Sequence, residues 1–133
     1  MFLKSKSIIA LFVCFAALAQ ACRYERDSAP ELTLTHEVSP QPPRANRPLT
    51  IVLSVSDASG KPATGIRMSL EGNMSHAGMT PVWATIHETE PGRYSSPTME
   101  LSMAGDWQFV VHITLPDGRQ AERQFEIKGV VQP

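Results

Sequence analysis

The chain has 133 residues, enough for one domain and little more. Its 12 basic and 13 acidic residues nearly balance and no basic patch stands out, so the composition gives no support to a nucleic-acid partner. Eleven prolines and eight glycines are spread along it, which favours short strands joined by turns over helices.

The N-terminus is typical of an export signal. Lys4 and Lys6 precede an apolar run from Ile8 to Leu18, which is short for a bilayer span because a spanning helix needs about 20 apolar residues. Ala19-Gln20-Ala21 then offers the small residues that a signal peptidase recognises. We therefore predict a signal peptide over residues 1–21 in preference to a retained membrane anchor.

Cys22 follows the predicted cleavage point. Since Cys14 would be removed with the signal peptide, Cys22 would be the only thiol of the mature chain, and a lone thiol cannot form an internal disulfide. An exposed free thiol is also a chemical liability. The site resembles the lipobox of bacterial lipoproteins, although Ala19 stands where that pattern favours Leu. We predict that Cys22 is lipidated; a soluble exported protein with a free thiol is the alternative.

Residues 22–31 then read as the lipidated cysteine and a polar tether, and residues 32–133 as one domain. Without Lys4 and Lys6, 10 basic residues remain against 13 acidic ones, a net charge of −3. We expect the protein in the bacterial cell envelope, facing the periplasm and bound to the membrane through its lipid. Arg23, and not Asp, follows the cysteine, which favours the outer membrane.

Beyond the tether, apolar residues alternate with polar ones between turn signals. Period two over short runs predicts half-buried antiparallel strands. Asp117-Gly118 is a hairpin signal between the last two strands. About seven such strands predict an all-β fold, an immunoglobulin-like antiparallel β-sandwich. The predicted apolar faces are Leu49, Ile51, Leu53 and Val55; Ile66, Met68 and Leu70; Val82, Ala84 and Ile86; Trp107, Phe109, Val111, Ile113 and Leu115; Phe125 and Ile127.

The stretch NMSHAGM, residues 73–79, sets Met74, His76 and Met79 close together. Thioethers are soft neutral donors and imidazole is borderline, so this set suits Cu(I) or silver far better than calcium or magnesium. Gly78 would let the chain turn and bring Met79 back towards the other two. The alternative is structural: Met74 continues the buried face of Met68, Met79 fills a gap, and His76 is solvated.

Other histidines and methionines are weaker candidates. His87 and His112 lie on strand faces opposite the apolar residues, so each is either a surface histidine or an extra ligand of the 74–79 loop. His36 has no evident role. Met99 and Met103 flank Leu101 at alternate positions, which predicts that both are in the core. Trp83, on the more polar face of its strand, either awaits a partner or packs on a neighbouring strand.

No catalytic motif is present. The chain has no Gly-x-Ser-x-Gly elbow, no His-Glu-x-x-His and no glycine-rich phosphate loop. A nucleophilic enzyme needs a Ser or Cys with a base and an orienting acid, and four scattered histidines define no such set. We therefore predict that the protein is not an enzyme.

Four pieces in order resemble the YtkA-like domain family, which is close in style to FixH-type domains. They are DASGKP (57–62), the Met-His-Met loop (74–79), PGRY (91–94) and MAGDW (103–107), within residues 48–128. The resemblance implies an exported or membrane-attached immunoglobulin-like domain, often associated with copper handling or oxidase assembly. Met74, His76 and Met79 carry over as candidate metal ligands, with fewer methionines than Met-rich members have. Pro91, Gly92, Tyr94, Gly105 and Trp107 carry over as structural markers.

Three of these markers have an independent physical reading. Gly92 and Gly105 suit turns with unusual backbone angles, and Tyr94 could tie its hydroxyl group to the backbone in a tyrosine corner.

Functionally, we expect the protein to bind Cu(I) and to store it or pass it to an acceptor protein. The alternative is an interaction module without metal chemistry that supports assembly of an envelope complex.

Overall fold

A computed structural model describes residues 30–76 and 78–133. The predicted signal peptide, Cys22 and the tether up to residue 29 lie outside the described residues. The described part of the chain forms no helix, and hence none that is long and apolar enough to cross a membrane. The all-β prediction is confirmed. The strands are β1 (Leu32–Ser39), β2 (Thr50–Asp57), β3 (Arg67–Asn73), β4 (Val82–Glu90), β5 (Arg93–Ser95), β6 (Gly105–Thr114) and β7 (Gln120–Val130).

All strand pairs are antiparallel, in the order β1-β2-β5-β4-β3-β6-β7. Strand β4 is shared: residues 82–86 pair with β3, and residues 87–90 pair with β5. It therefore carries the chain from one half of the sheet to the other. The two end strands approach each other, and the ring of His36 on β1 stacks on Phe125 of β7 with centroids 4.3 Å apart. The result is a nearly closed sandwich.

The core lies between the two halves and is built from alternate residues. In β2, Ile51, Leu53 and Val55 point inward. In β6, every second side chain from Trp107 to Ile113 is buried. This is the alternation that period-two patterning predicts, because successive side chains of a strand point to opposite faces. The largest fully buried side chains are Trp107, Tyr94, Phe109, Ile51, Leu53, Leu70, Leu101 and Val111.

The turns follow the predicted chemistry. The carboxylate of Asp57 accepts hydrogen bonds from the backbone N–H groups of Ser59 and Lys61, at 2.9 and 3.0 Å, which closes the turn after β2. Asp117 accepts from the N–H of Arg119 at 3.0 Å in the β6–β7 hairpin. Gly92 and Gly105 have φ values of 74° and 121°, so both predicted glycine positions do use backbone angles that other residues avoid.

Candidate functional site

The loop between β3 and β4 carries the predicted ligands Met74, His76 and Met79. The loop begins after Asn73, whose side-chain amide donates to Glu71 Oε1 at 3.1 Å. Gly78 has a φ of 78°, a left-handed backbone angle of the kind that the predicted turn needs. That Met79 returns towards Met74 and His76 stays a prediction. Met74 and Met79 are half-buried and pack against the edge of the core, whereas His76 is exposed. Each thioether is thus anchored at the core edge while the imidazole reaches solvent.

Met74 lies against the start of β6. Its Cε atom is 2.9 Å from the position that a Cβ atom of Gly105 would occupy, so the glycine makes room for the methionine. The positions agree with the structural alternative, because Met74 and Met79 pack against the core and His76 is exposed. Neither thioether is fully buried, so each keeps access to a soft ion.

The donor chemistry of this loop fits a soft metal ion. Two thioethers and one imidazole are neutral donors that suit Cu(I) or silver. Among the described residues, no group of three or more His, Cys, Asp or Glu side chains could hold a metal ion. The loop differs from such groups because two of its three donors are thioethers, and its binding of Cu(I) stays a prediction.

Neither of the two extra histidines lies beside the loop. His112 on β6 is opposite Ser69, four residues before β3 ends at Asn73, a distance of about 13 Å along the strand. His87 is opposite Ser95, in the half of β4 that pairs with β5. It lies about 16 Å along β4 from Val82, where β4 begins after the loop. The structure therefore groups Met74, His76 and Met79 on one loop and sets His87 and His112 apart from it.

His112 belongs to a second cluster, on the outer face of β3, β6 and β7. Its Nε2 lies 2.9 Å from Glu71 Oε2, and its Nδ1 lies 3.1 Å from Glu122 Oε1. Trp83 stacks on the imidazole with centroids 5.5 Å apart and an interplanar angle of 18°. Trp83 thus packs across β3 onto a residue of β6, and it is still 58% exposed. That it awaits a partner stays a prediction.

The hydrogen bonds of this cluster lower the pKa of Glu71. The bond with His112, and then the bond from Asn73, lower the pKa of the Glu71 carboxyl group below its ordinary value of 4.5. The two carboxylates lie against opposite nitrogens of one ring, so they cannot converge on a single ion with it. A protonated imidazole donates to both carboxylates, and a neutral one donates to a single carboxylate. The cluster is thus suited to ion pairing and not to metal binding.

The remaining candidates have separate positions. His36 stacks on Phe125, at the junction of β1 and β7. Met99 is buried, as predicted, and its backbone bridges to Leu49. Met103 is 43% exposed, so the prediction that it belongs to the core is wrong. The chain bends at residues 102–104, and the alternation that predicted burial applies only to an extended chain.

Two residues of this second cluster were not singled out from the sequence: Glu71 and Glu122. A signal existed for Glu71, which falls on the outer face of β3 by period two. Its contact with His112 depends on β3 lying beside β6, however, and that neighbourhood is a tertiary property.

Comparison with known proteins gives a family. A family model described as YtkA-like matches residues 31–112, which is more than half of the chain. The matched range begins at the edge of β1 and ends in β6, so it includes the Met-His-Met loop. No curated protein matches the chain.

Proposed function

We propose that this chain, which belongs to the YtkA-like family, binds Cu(I) through Met74, His76 and Met79 and stores it or delivers it to an acceptor protein. One observation carries the proposal: two half-buried thioethers and an exposed imidazole share one short loop at the edge of a rigid core. Soft neutral donors in a partly apolar setting favour a soft monovalent ion over hard divalent ions. The family match supports the fold and says nothing about the metal.

An exposed loop is also suited to transfer. A carrier must release its ion, so a site that an acceptor's ligands reach from solvent suits delivery better than an enclosed one. His76 is exposed and gives such access. The proposed role is binding and not catalysis.

The test is a competition titration against a colorimetric Cu(I) chelator. The protein is the full chain with Cys14→Ser and Cys22→Ser, which removes both thiols. It is compared with the same chain carrying Met74→Ala, His76→Ala and Met79→Ala, and with a control carrying Met68→Leu in the core. We expect one-to-one binding that disappears in the triple variant and persists in the control. Equal binding in all three, or none in any, would contradict the proposal, provided that circular dichroism shows the same β-rich fold.

The second part of the proposal is that Cys22 takes a lipid and holds the protein at the envelope, facing the periplasm and at the outer membrane. It rests on the lipobox-like sequence around Cys22. Expression in a bacterium should give a membrane-bound protein whose N-terminal peptide carries acyl chains by mass spectrometry. Cys22→Ser should release it to the soluble fraction. A soluble wild-type protein with a free thiol would contradict this part alone.

A second candidate function is an interaction module that supports assembly of an envelope complex. The exposed face of Trp83 favours it, because large exposed aromatic side chains are enriched at protein interfaces. In this case Trp83→Ala would reduce capture of a partner from envelope extract while Cu(I) binding stays unchanged. The triple loop variant would capture the partner normally.

A further inference from the structure

Met103 is one of two large apolar side chains that are exposed in the described part of the chain; the other is Trp83. A methionine that fills a gap in a core loses its contact with water, and Met103 is 43% exposed. Packing therefore does not explain why a thioether is at this position. The neighbouring Met99 and Leu101 supply the buried side chains of this segment.

The backbone of Met103 is nevertheless held in place. The indole Nε1 of Trp107 donates a hydrogen bond of 3.0 Å to the carbonyl oxygen of Met103. Trp107 is fully buried, so this bond ties the bend at residues 102–104 to the core. The backbone that carries the exposed side chain is thus a fixed point. Less conformational entropy is then lost when the side chain binds an ion.

That fixed point lies within about 12 Å of the Met74 Cε atom, a span that can be bounded through Gly105. The Cε atom of Met74 is 2.9 Å from the Cβ position of Gly105, and therefore about 4.4 Å at most from the Gly105 Cα atom. The Cα atom of Met103 is two residues away, at most about 7.6 Å from that of Gly105. Strand pairing gives the same neighbourhood, since Asn73, just before the loop, is opposite Gln108 near the start of β6.

We propose that Met103 is a further thioether ligand of the metal site, so that the soft donors are Met74, Met79 and Met103, with His76 as the nitrogen donor. This inference rests on the proposed function and adds a ligand from a second part of the chain. Three thioethers would make the site more selective for Cu(I) and Ag(I) over Zn(II) and Cu(II) than the loop alone. The ion would then join the β3–β4 loop to the segment before β6.

The direct test uses Ag(I) as a diamagnetic probe and ¹³C-methyl-labelled methionine. The protein is the full chain with both cysteines replaced by Ser, and Met→Leu variants assign the methyl resonances. We expect the methyl signals of Met74, Met79 and Met103 to shift together and to saturate at one equivalent of Ag(I). Those of the buried Met68 and Met99 should stay in place.

The affinity test compares Met103→Leu with Met99→Leu in the Cu(I) competition titration. Mutating a residue that only hydrogen-bonds to a metal ligand typically lowers metal affinity by about 10–100-fold. Loss of a direct ligand should therefore weaken Cu(I) binding by at least about tenfold. Met99→Leu should bind like the parent. Leu is close to Met in size, and position 103 is exposed, so the fold should be unaffected.

The outcomes separate the two proposals. If the triple loop variant loses Cu(I) while Met103→Leu binds at full strength and the Met103 methyl signal does not shift, Met103 is not a ligand and the loop site stands. If the parent chain binds no Cu(I) or Ag(I), both proposals are wrong. Weakening by Met103→Leu, together with a methyl shift at Met103, supports this inference.

Discussion

The hydroxyl group of Tyr94 donates a hydrogen bond of 2.7 Å to the carbonyl oxygen of Ala63. The Tyr94 hydroxyl oxygen also accepts a hydrogen bond of 3.2 Å from the backbone N–H of Ile66. Tyr94 lies on β5 and is fully buried, and Ala63 and Ile66 lie in the segment that leads into β3. Burial raises the pKa of Tyr94 to about 12. One side chain therefore fastens the β2–β5 half of the sandwich to the chain entering the other half.

Tyr94→Phe should weaken this junction. It removes only the hydroxyl group and leaves the Ala63 carbonyl and the Ile66 N–H without their partner. An unsatisfied buried polar group costs about 1–3 kcal/mol, so the free energy of unfolding should fall by about that amount. Urea denaturation followed by circular dichroism measures it. A loss below about 0.5 kcal/mol would mean that water or a backbone shift satisfies these groups.

Acid should weaken the pairing between Glu71 and His112. The hydrogen bonds from His112 and Asn73 lower the pKa of Glu71 in the folded state. The unfolded state then binds more protons at acidic pH, so the contribution of Glu71 to stability is present above about pH 4.5 and is lost as the pH falls through its folded-state pKa. Unfolding of the parent chain and of Glu71→Gln should be compared from pH 7 down to pH 3.

In that comparison, the difference in stability between the parent and Glu71→Gln should shrink as the pH falls. Glu100→Gln, at an exposed position, is the matched control and should follow the parent at every pH. A constant difference between the parent and Glu71→Gln across the range would show that the ionised Glu71 has no stabilising role.

Gly72 in β3 should not tolerate a side chain. A Cβ atom there would lie 2.7 Å from Cε1 and 2.9 Å from Cζ of Phe109, whose ring is fully buried. Overpacking of this kind costs about 1–3 kcal/mol, so Gly72→Ala should lower the free energy of unfolding by that amount. Phe109→Leu makes space for the new methyl group. The double variant should therefore be more stable than the sum of the two single losses predicts, and strict additivity would mean that the clash is not the cause.

Cu(I) or Ag(I) should stabilise the folded protein. An ion that binds the folded state alone adds about 2.7 kcal/mol at a free concentration of one hundred times its dissociation constant. Thermal unfolding of the cysteine-free chain, with and without Ag(I), measures this effect. The variant lacking Met74, His76 and Met79 should show no shift. An equal shift in both proteins would indicate that the ion binds elsewhere.

Alternation alone predicts five of the seven strands. Each of β2, β3, β6 and β7 buries one face, and β4 buries Ile86 beside the half-buried Val82 and Ala84. Strand β1 was missed because His36 interrupts the alternating apolar residues Leu34 and Val38. The imidazole takes the place of an apolar side chain there by stacking on Phe125. Strand β5 has three residues, too few to show a period. The family resemblance was confirmed by the match to residues 31–112.

The candidate ligands on the loop were predicted from residue chemistry, since Met74, His76 and Met79 are close together in the chain. The prediction that Met103 is buried failed because the bend at residues 102–104 is held by Trp107, and nothing in the local pattern encodes that bond. The carboxylate partners of His112 were missed for a similar reason. Glu71 and Glu122 are 41 and 10 positions away from it, and only strand pairing brings them to the same ring.

By itself, the sequence of this protein determined the class of fold, the turns and the placement of Met74, His76 and Met79 on one loop, because these depend on the alternation of side chains and on neighbours in the chain. Only the tertiary structure decided which strands adjoin, that β4 is shared by both halves, that Trp83 stacks on His112, and that Met74 packs against Gly105. Those relationships depend on contacts between residues far apart in the chain. These contacts are stabilised by packing in the core and at its edges, and the order of neighbouring residues in the sequence does not reveal that packing.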